Sequence, residues 1–354
     1  MGRQTAHRRA VTRVALGVLV SALALAGCSS GSSSSASGGP AAPGTTSVTM
    51  TSFNGSFASL SVYVANRKGF FKQHGITANF VTVSSGSAAM QAMLAGSADM
   101  ANAAIFETLS AAAKGEKVKY IVGAATGAFG ELVVGKNAQV ADQTAGFPDS
   151  LRALKGKKIG VSSKGSATYY ALAYALKQAG LNPDTDVTIV PAGTLSAQVA
   201  ALKSGQLDAY MSQEPSTTQV TSAGDGKVVW YEYQGARPPL FDNLITNGIV
   251  ASDDYIAGHA TAVKGVHDAV AQADSYIAGL DSAGVTALAA VVSPDFPGIS
   301  KPVLAQAISH YQKLYSATMS KAGVDAANTL MLDNGVLKTA IAYNDVVATS
   351  AQGS

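Results

Sequence analysis

Two serine-rich runs, Ser84-Ser85-Gly86-Ser87 and Ser162-Ser163-Lys164-Gly165-Ser166, each stand between a strand-like segment and a helix-like one. Small residues at such a junction expose backbone N–H groups. The hydroxyls add donors, and the helix dipole favours negative charge at that end. One cluster in each of two domains would make a site for an anionic or strongly polar ligand between them, although N-capping by serine accounts for either cluster alone. A second set of residues offers the opposite chemistry. Phe53, Phe57, Phe106, Phe129, Tyr169 and Trp230 are able to stack on a flat ring, and Glu107, Glu131 and Glu214 to accept hydrogen bonds from ring N–H or amine groups. Glu214 stands out, because it ends a strand-like run and precedes Pro215, where the chain must turn.

Signatures of catalysis are missing. His74, His259, His267 and His310 are scattered, and none has metal-ligand spacing to another His or Cys. There is no nucleophile elbow, P-loop or dinucleotide glycine fingerprint. Lys164-Gly165-Ser166 lacks the upstream glycine that a phosphate loop needs. These residues describe a binding protein rather than an enzyme, with no metal and no cofactor.

The N-terminus carries chemistry of another kind. Arg3, Arg8, Arg9 and Arg13 form a basic start, Val14 to Ala26 is apolar, and Leu25-Ala26-Gly27-Cys28 closes the run. The apolar stretch is short of the roughly 20 residues a spanning helix needs, and the three blocks read as a signal peptide. Its last four residues resemble the lipobox of bacterial lipoproteins, which implies cleavage before Cys28 and lipid attachment to its thiol. Cys28 is the only cysteine, so it has no disulfide partner in an oxidising compartment. Arg8-Arg9 hints at twin-arginine export, but the residues after the pair fit that signal poorly, so the general secretory route is preferred. Residues 28–47 are rich in Ser, Gly, Ala and Pro and uncharged, and are expected to form a flexible tether.

Without the four leader arginines the 25 basic residues fall to 21 against 22 acidic, a formal charge of −1. No basic patch points to nucleic acid, and no later apolar run reaches spanning length. Beyond the tether the chain alternates strand-like and helix-like runs. Strands are predicted at Val48–Phe53, Ile76–Val83, Ala98–Ala101, Val118–Val122, Lys158–Val161, Val187–Val190, Ala209–Met211 and Val228–Tyr231. This alternation argues for an α/β fold with mainly parallel sheets. Tyr169, Leu172, Ala173 and Leu176 mark a helix stopped by Gly180. Val263, Val266, Val270, Ala273 and Ile277 mark a second, and Leu304, Ile308, Tyr311 and Tyr315 a third. The part after Tyr255 reads as mostly helical.

A set of motifs then appears in a fixed order. Ala65-Asn66-Arg67-Lys68-Gly69-Phe70-Phe71-Lys72-Gln73-His74-Gly75-Ile76 resembles the A-x-x-x-G-[FY]-[FY]-x-x-x-G-[IL] signature of the sulfonate, nitrate, taurine and thiamine-precursor (NMT1/THI5-like) binding family of bacterial ABC importers. Met93-Leu94-Ala95-Gly96-Ser97-Ala98-Asp99, Leu154-Lys155-Gly156-Lys157-Lys158-Ile159-Gly160-Val161, Gly165-Ser166, Ser204-Gly205-Gln206-Leu207-Asp208-Ala209 and Glu214-Pro215 are similar to further motifs of that family. Each fragment is weak alone, whereas their shared order over Val48 to Pro215 is specific. Most are fold markers, and they do not name a ligand.

The resemblance implies a bilobal α/β fold of the periplasmic-binding-protein type 2, with two lobes joined by a two-segment hinge. One lobe is expected over residues 48–135 and 247–354, the other over residues 136–246. Carried over position by position, it implies ligand contacts from Asn54, Phe57, Ser85, Gly86, Ser87, Ala103, Phe106, Thr126, Ser163, Gly165, Ser166, Thr168 and Glu214. No arginine is among these positions, which departs from what a sulfonate or nitrate clamp would use. Backbone amides and hydroxyls are left to hold an anion, and a neutral or cationic heterocycle held by Phe57, Phe106 and Glu214 fits equally. The expected protein is a monomeric, lipid-anchored, extracytoplasmic solute binder, working with permease and ATPase subunits and no nucleic acid. Two other readings use the same fold: a pyrimidine-synthase-type enzyme, whose intracellular relatives conflict with the export signal, and a lipid-tethered sensor.

Overall fold

The computed structural model describes residues 44–125, 127–140 and 146–352. The leader, Cys28, most of the tether and Thr126 lie outside the described residues. Ten strands run through the described part: β1 (Thr46–Ser52), β2 (Ile76–Thr82), β3 (Ala101–Ala104), β4 (Val118–Ala125), β5 (Glu131–Gly135), β6 (Lys158–Val161), β7 (Thr188–Pro191), β8 (Ala209–Ser212), β9 (Gly226–Tyr231) and β10 (Asn247–Ser252). The first strand starts inside the stretch read as tether, with Thr46 and Ser47 paired to Ile76 and Thr77.

Strands β1 and β2 pair in parallel, and a bridge from Met50 to Met100 sets them beside the layer β3-β10-β4. The second layer has the order β7-β6-β8-β5-β9. The two layers thus repeat one plan, β2-β1-β3-β10-β4 against β7-β6-β8-β5-β9. In each, the fourth strand is antiparallel to both neighbours: β10 to β3 and β4, β5 to β8 and β9. The mainly parallel arrangement predicted from the alternation is therefore corrected to mixed sheets. The cause is that β5 and β10 are the strands on which the chain passes from one layer to the other. Segment Glu131–Gly135, expected within the first lobe, hydrogen-bonds into the second sheet.

The repeated plan has a repeated clasp. The Asp99 carboxylate accepts the Thr49 N–H at 2.7 Å, and the Asp208 carboxylate accepts the Lys158 N–H at 2.9 Å. Each aspartate follows a glycine with positive φ, Gly96 or Gly205, that ends the preceding helix. This clasp shifts β3 to Ala101–Ala104, three residues beyond its predicted start. Helices begin where serine or threonine can cap them. Ser85 accepts from the Ala88 N–H, Ser166 from the Tyr169 N–H and Thr194 from the Ala197 N–H.

The helix Ala260–Ala278 buries the predicted stripe Val263, Val266, Val270, Ala273 and Ile277 against β4 and the helix Leu60–Arg67. The helix Lys301–Tyr311 buries Leu304, Ile308 and Tyr311 in the same core. Tyr315, predicted on that stripe, lies beyond the helix in extended backbone, and its hydroxyl donates to the Phe57 carbonyl at 3.0 Å. A second core runs from β3 and β4 through the helix Lys321–Asp333 to the helix Ala167–Gln178, joining side chains of both layers. Among the described residues no helix is long and apolar enough to cross a membrane.

Candidate functional site

The carboxyl ends of the parallel strands of both sheets converge on one cavity of about 100 Å³. In an open α/β sheet this edge is where loops and helix N-termini are free to meet a ligand. From the first sheet come Phe53, Asn54 and Ser56 after β1, Ser84, Ser85 and Gly86 after β2, and Phe106 and Glu107 after β3. From the second come Ser162, Ser166 and Thr168 after β6, Thr194 and Gln198 after β7, and Gln213 after β8. The crossing segments close the ring with Phe129 and Gly130 before β5, Glu232 after β9, and Thr246 and Asn247 entering β10. No Lys, Arg or His lines the cavity among the described residues.

Two carboxyls set its electrostatics. Glu107 stands in the first turn of the helix Ile105–Ala113 and is buried. Burial pushes its carboxyl up to about 7, against a downward pull from the backbone N–H groups of Glu107 and Ala167. Oε2 has no hydrogen-bond partner. Glu232 is buried as well, with Oε2 accepting the Gly130 N–H at 2.9 Å, while its own N–H donates to the Gly130 carbonyl at 2.9 Å. Burial pushes this carboxyl to about 7 too, opposed by the backbone at Gly130 and Phe129. A third acceptor is Gln198, fully buried, whose Nε2 donates to the Gly193 carbonyl and whose Oε1 has no partner.

Glycine makes room for both acids. A Cβ on Gly86 would stand 2.3 Å from Glu107 Oε1, and one on Gly130 would stand 2.4 Å from Glu232 Oε1. The serine clusters do converge, but Glu107 fills the space between them. Its carboxylate touches Gly86 at the start of one helix and interacts with Ala167 at the start of the other.

Of the residues expected to contact ligand, Asn54, Ser85, Gly86, Phe106, Ser166 and Thr168 line the cavity. Ser87, half-buried in the first turn of the helix Gly86–Leu94, is not on its wall. Ala103 is fully buried within β3. The Ser163 carbonyl accepts the Ser166 hydroxyl at 2.8 Å, and Gly165 takes positive φ to turn that loop. Phe57 is fully buried, edge-on to Phe296 at 5.3 Å. Glu214 sits in a different network: its carboxylate accepts the Thr218 N–H at 3.0 Å, the Thr218 hydroxyl at 2.7 Å, and bonds His310 at 2.8 Å. Beside it Glu131 accepts from Tyr311, Thr217 and Tyr233, and burial, followed by the nearby Glu214, raises its carboxyl well above the ordinary range.

Glu232, Gln198, Thr194 and Gln213 went unread as site residues. Glu232 carried a usable signal, since it ends the strand-like run Val228–Tyr231 just as Glu214 ends its own. Gln198 carried none. Among the described residues no group of His, Cys, Asp or Glu is placed to hold a metal ion.

Two mixed sheets that exchange an antiparallel strand, with a cavity at their carboxyl edges, define the bilobal fold of the periplasmic binding proteins. The chain belongs to the NMT1-like family, whose model matches residues 41–293. A protein from Bordetella bronchiseptica RB50 is similar in structure, with a TM-score of 0.70 at 25% identity over 81% of this chain and 88% of that one. So is the alkanesulfonate-binding protein SsuA from Xanthomonas axonopodis pv. citri bound to MOPS, with a TM-score of 0.68 at 20% identity over 87% and 99%. The periplasmic nitrate-binding protein NrtA from Synechocystis PCC 6803 gives 0.67 at 13% identity over 84% of each chain. The chain matches none of the curated protein sequences compared with it.

Proposed function

We propose that this protein is the extracytoplasmic solute-binding component of an ABC importer, anchored as a monomer by a lipid on Cys28, and that it captures a small polar organic solute in the cavity between its sheets. One observation carries the reading: the cavity wall is built from the carboxyl ends of strands in both sheets. A solute held there contacts both lobes at once, so it favours the arrangement in which they meet. Two of the similar proteins named above are an alkanesulfonate-binding and a nitrate-binding protein, which supports solute capture as the task. Asn54, Ser85, Gly86, Phe106, Ser166 and Thr168 are the proposed contacts.

Size narrows the solute. An engineered cavity of about 150 Å³ takes up benzene. A space of about 100 Å³ therefore admits a compact solute of a few non-hydrogen atoms, and a larger one requires the lobes to part. The test is a thermal-shift panel of sulfonates, nitrate, thiamine precursors, riboflavin and amino compounds. A ligand at 100 times its Kd adds about 2.7 kcal/mol of stability, which such a panel detects. Reversible binding without turnover supports the reading, and a panel with no shift from any small molecule defeats it. Mass spectrometry of the mature N-terminal peptide tests the lipid on Cys28.

A further inference from the structure

We infer that the solute of this cavity is a small organic cation of the ammonium or amidinium type, held by the carboxylates of Glu107 and Glu232. The inference rests on the solute-binding reading and names its substrate class.

Helix N-termini around a cavity ordinarily invite an anion, because their free N–H groups and dipoles favour negative charge. Here those positions are taken from within. Ser85, Ser166 and Thr194 cap the three helices with their own hydroxyls. Glu107 then places a carboxylate between the starts of two of them, against Gly86 on one side and Ala167 on the other. An added anion would meet a group of its own sign, in a cavity with no Lys, Arg or His on the wall among the described residues.

What the cavity lacks is donors for its own acceptors. Glu107 Oε2 is buried with no partner, and Glu107 lines the cavity. Glu232 adds a carboxyl whose Oε2 accepts the Gly130 N–H of the crossing segment before β5. Buried acceptors without donors are costly, and a ligand that supplies N–H groups removes that cost. A cation also matches the sign of the acids it meets, whereas a neutral amide leaves their charge unbalanced. Phe106 and Phe129 line the same cavity, and the negative face of an aromatic ring attracts a cation and repels an anion.

The decisive experiment is calorimetric titration of the protein, purified as the cell makes it, with methylammonium and acetamidinium in one arm and methanesulfonate and nitrate in the other. Heat of binding is expected in the cation arm alone. Glu107→Gln and Glu232→Gln, which keep side-chain size and remove the charge, are each expected to weaken cation binding at least about tenfold, on the order of 1.4 kcal/mol. Both variants should stay folded at pH 8 with thermal stability at or above the parent, so lost binding is not lost structure. Binding in the anion arm without binding of cations overturns the inference and leaves the solute-binding reading standing. Unchanged cation affinity in both glutamine variants also overturns it. Silence in both arms, together with an unresponsive thermal-shift panel, removes the solute-binding reading as well.

Discussion

The Glu107 carboxylate lies against Gly86 so closely that a Cβ built on the glycine would stand 2.3 Å from Oε1 and 2.6 Å from Cδ. The glycine begins one helix and the glutamate sits in the first turn of another, so a missing side chain on one element sets the position of a charge on its neighbour. Gly86→Ala must displace the Glu107 carboxylate. Solute affinity is expected to fall at least about tenfold, while the helix Gly86–Leu94 itself gains from alanine. Calorimetry and a melting curve on the same variant separate these effects.

The two cavity acids make the empty protein sensitive to pH. Both carboxyls are raised by burial from an ordinary value of 4.5 to about 7. A raised folded-state value means the stabilising contribution is fully present below the unfolded value and is lost as pH rises through the folded one. Stability of the ligand-free protein should therefore drop between about pH 4.5 and pH 7, by on the order of 3 kcal/mol for each acid. Tyr120 and Tyr170 are the titratable neighbours of Glu107, and both stay neutral across this window because burial raises them. Urea denaturation at pH 5, 6, 7 and 8 measures the slope, and it should flatten stepwise in Glu107→Gln and Glu232→Gln.

A second pH dependence, of the same sign for stability, lies in a different contact. His310, on the helix Lys301–Tyr311, bonds the Glu214 carboxylate at 2.8 Å, and that hydrogen bond raises its pKa above the ordinary imidazole value despite partial burial. The pair's contribution is then present below about pH 6.5 and fades as pH rises through the folded value. NMR titration should find the His310 ring protonating at higher pH than a free histidine, and Glu214→Gln should return it toward that reference. His310→Gln should reduce the pH dependence of melting that remains above pH 6.

Gly265 tests the packing of the long helix Ala260–Ala278. A Cβ there would stand 2.7 Å from the His74 carbonyl oxygen and 2.7 Å from Ile76 Cδ1. The backbone carbonyl of His74, two residues before β2, cannot swing aside as a side-chain tip can. Gly265→Ala should destabilise by about 1–3 kcal/mol through overpacking, lowering the urea midpoint without changing solute affinity measured on the folded fraction.

Strands flanked by helices were legible because their alternation is local. Lys158–Val161 was read with the bounds it has, and Ile76 and Val118 were read as the starts of their strands. Strands β5 and β10 escaped for a physical reason. Both are almost wholly buried on both faces, so neither alternates, and their partners lie far away in sequence. The same distance hid half of the site. Ser85, Ser166 and Phe106 follow visible strand-to-helix junctions and reach the cavity. Gln198 comes from mid-helix, and no local pattern marks it. Glu214 was singled out for its place before Pro215, and the structure gives it, beside the local Thr218, a distant partner in His310 that sequence spacing could not supply.

The exchanged strands also fix an order of events during synthesis. All five strands of the second sheet fall within the continuous stretch Glu131–Tyr231, so that sheet has every member once this stretch has emerged. The first sheet does not. Its β3 and β4 flank the place of β10, which is made more than a hundred residues after β4. Until then the earlier half of the chain holds two strand edges with nothing between them, so the half made first is the half completed last.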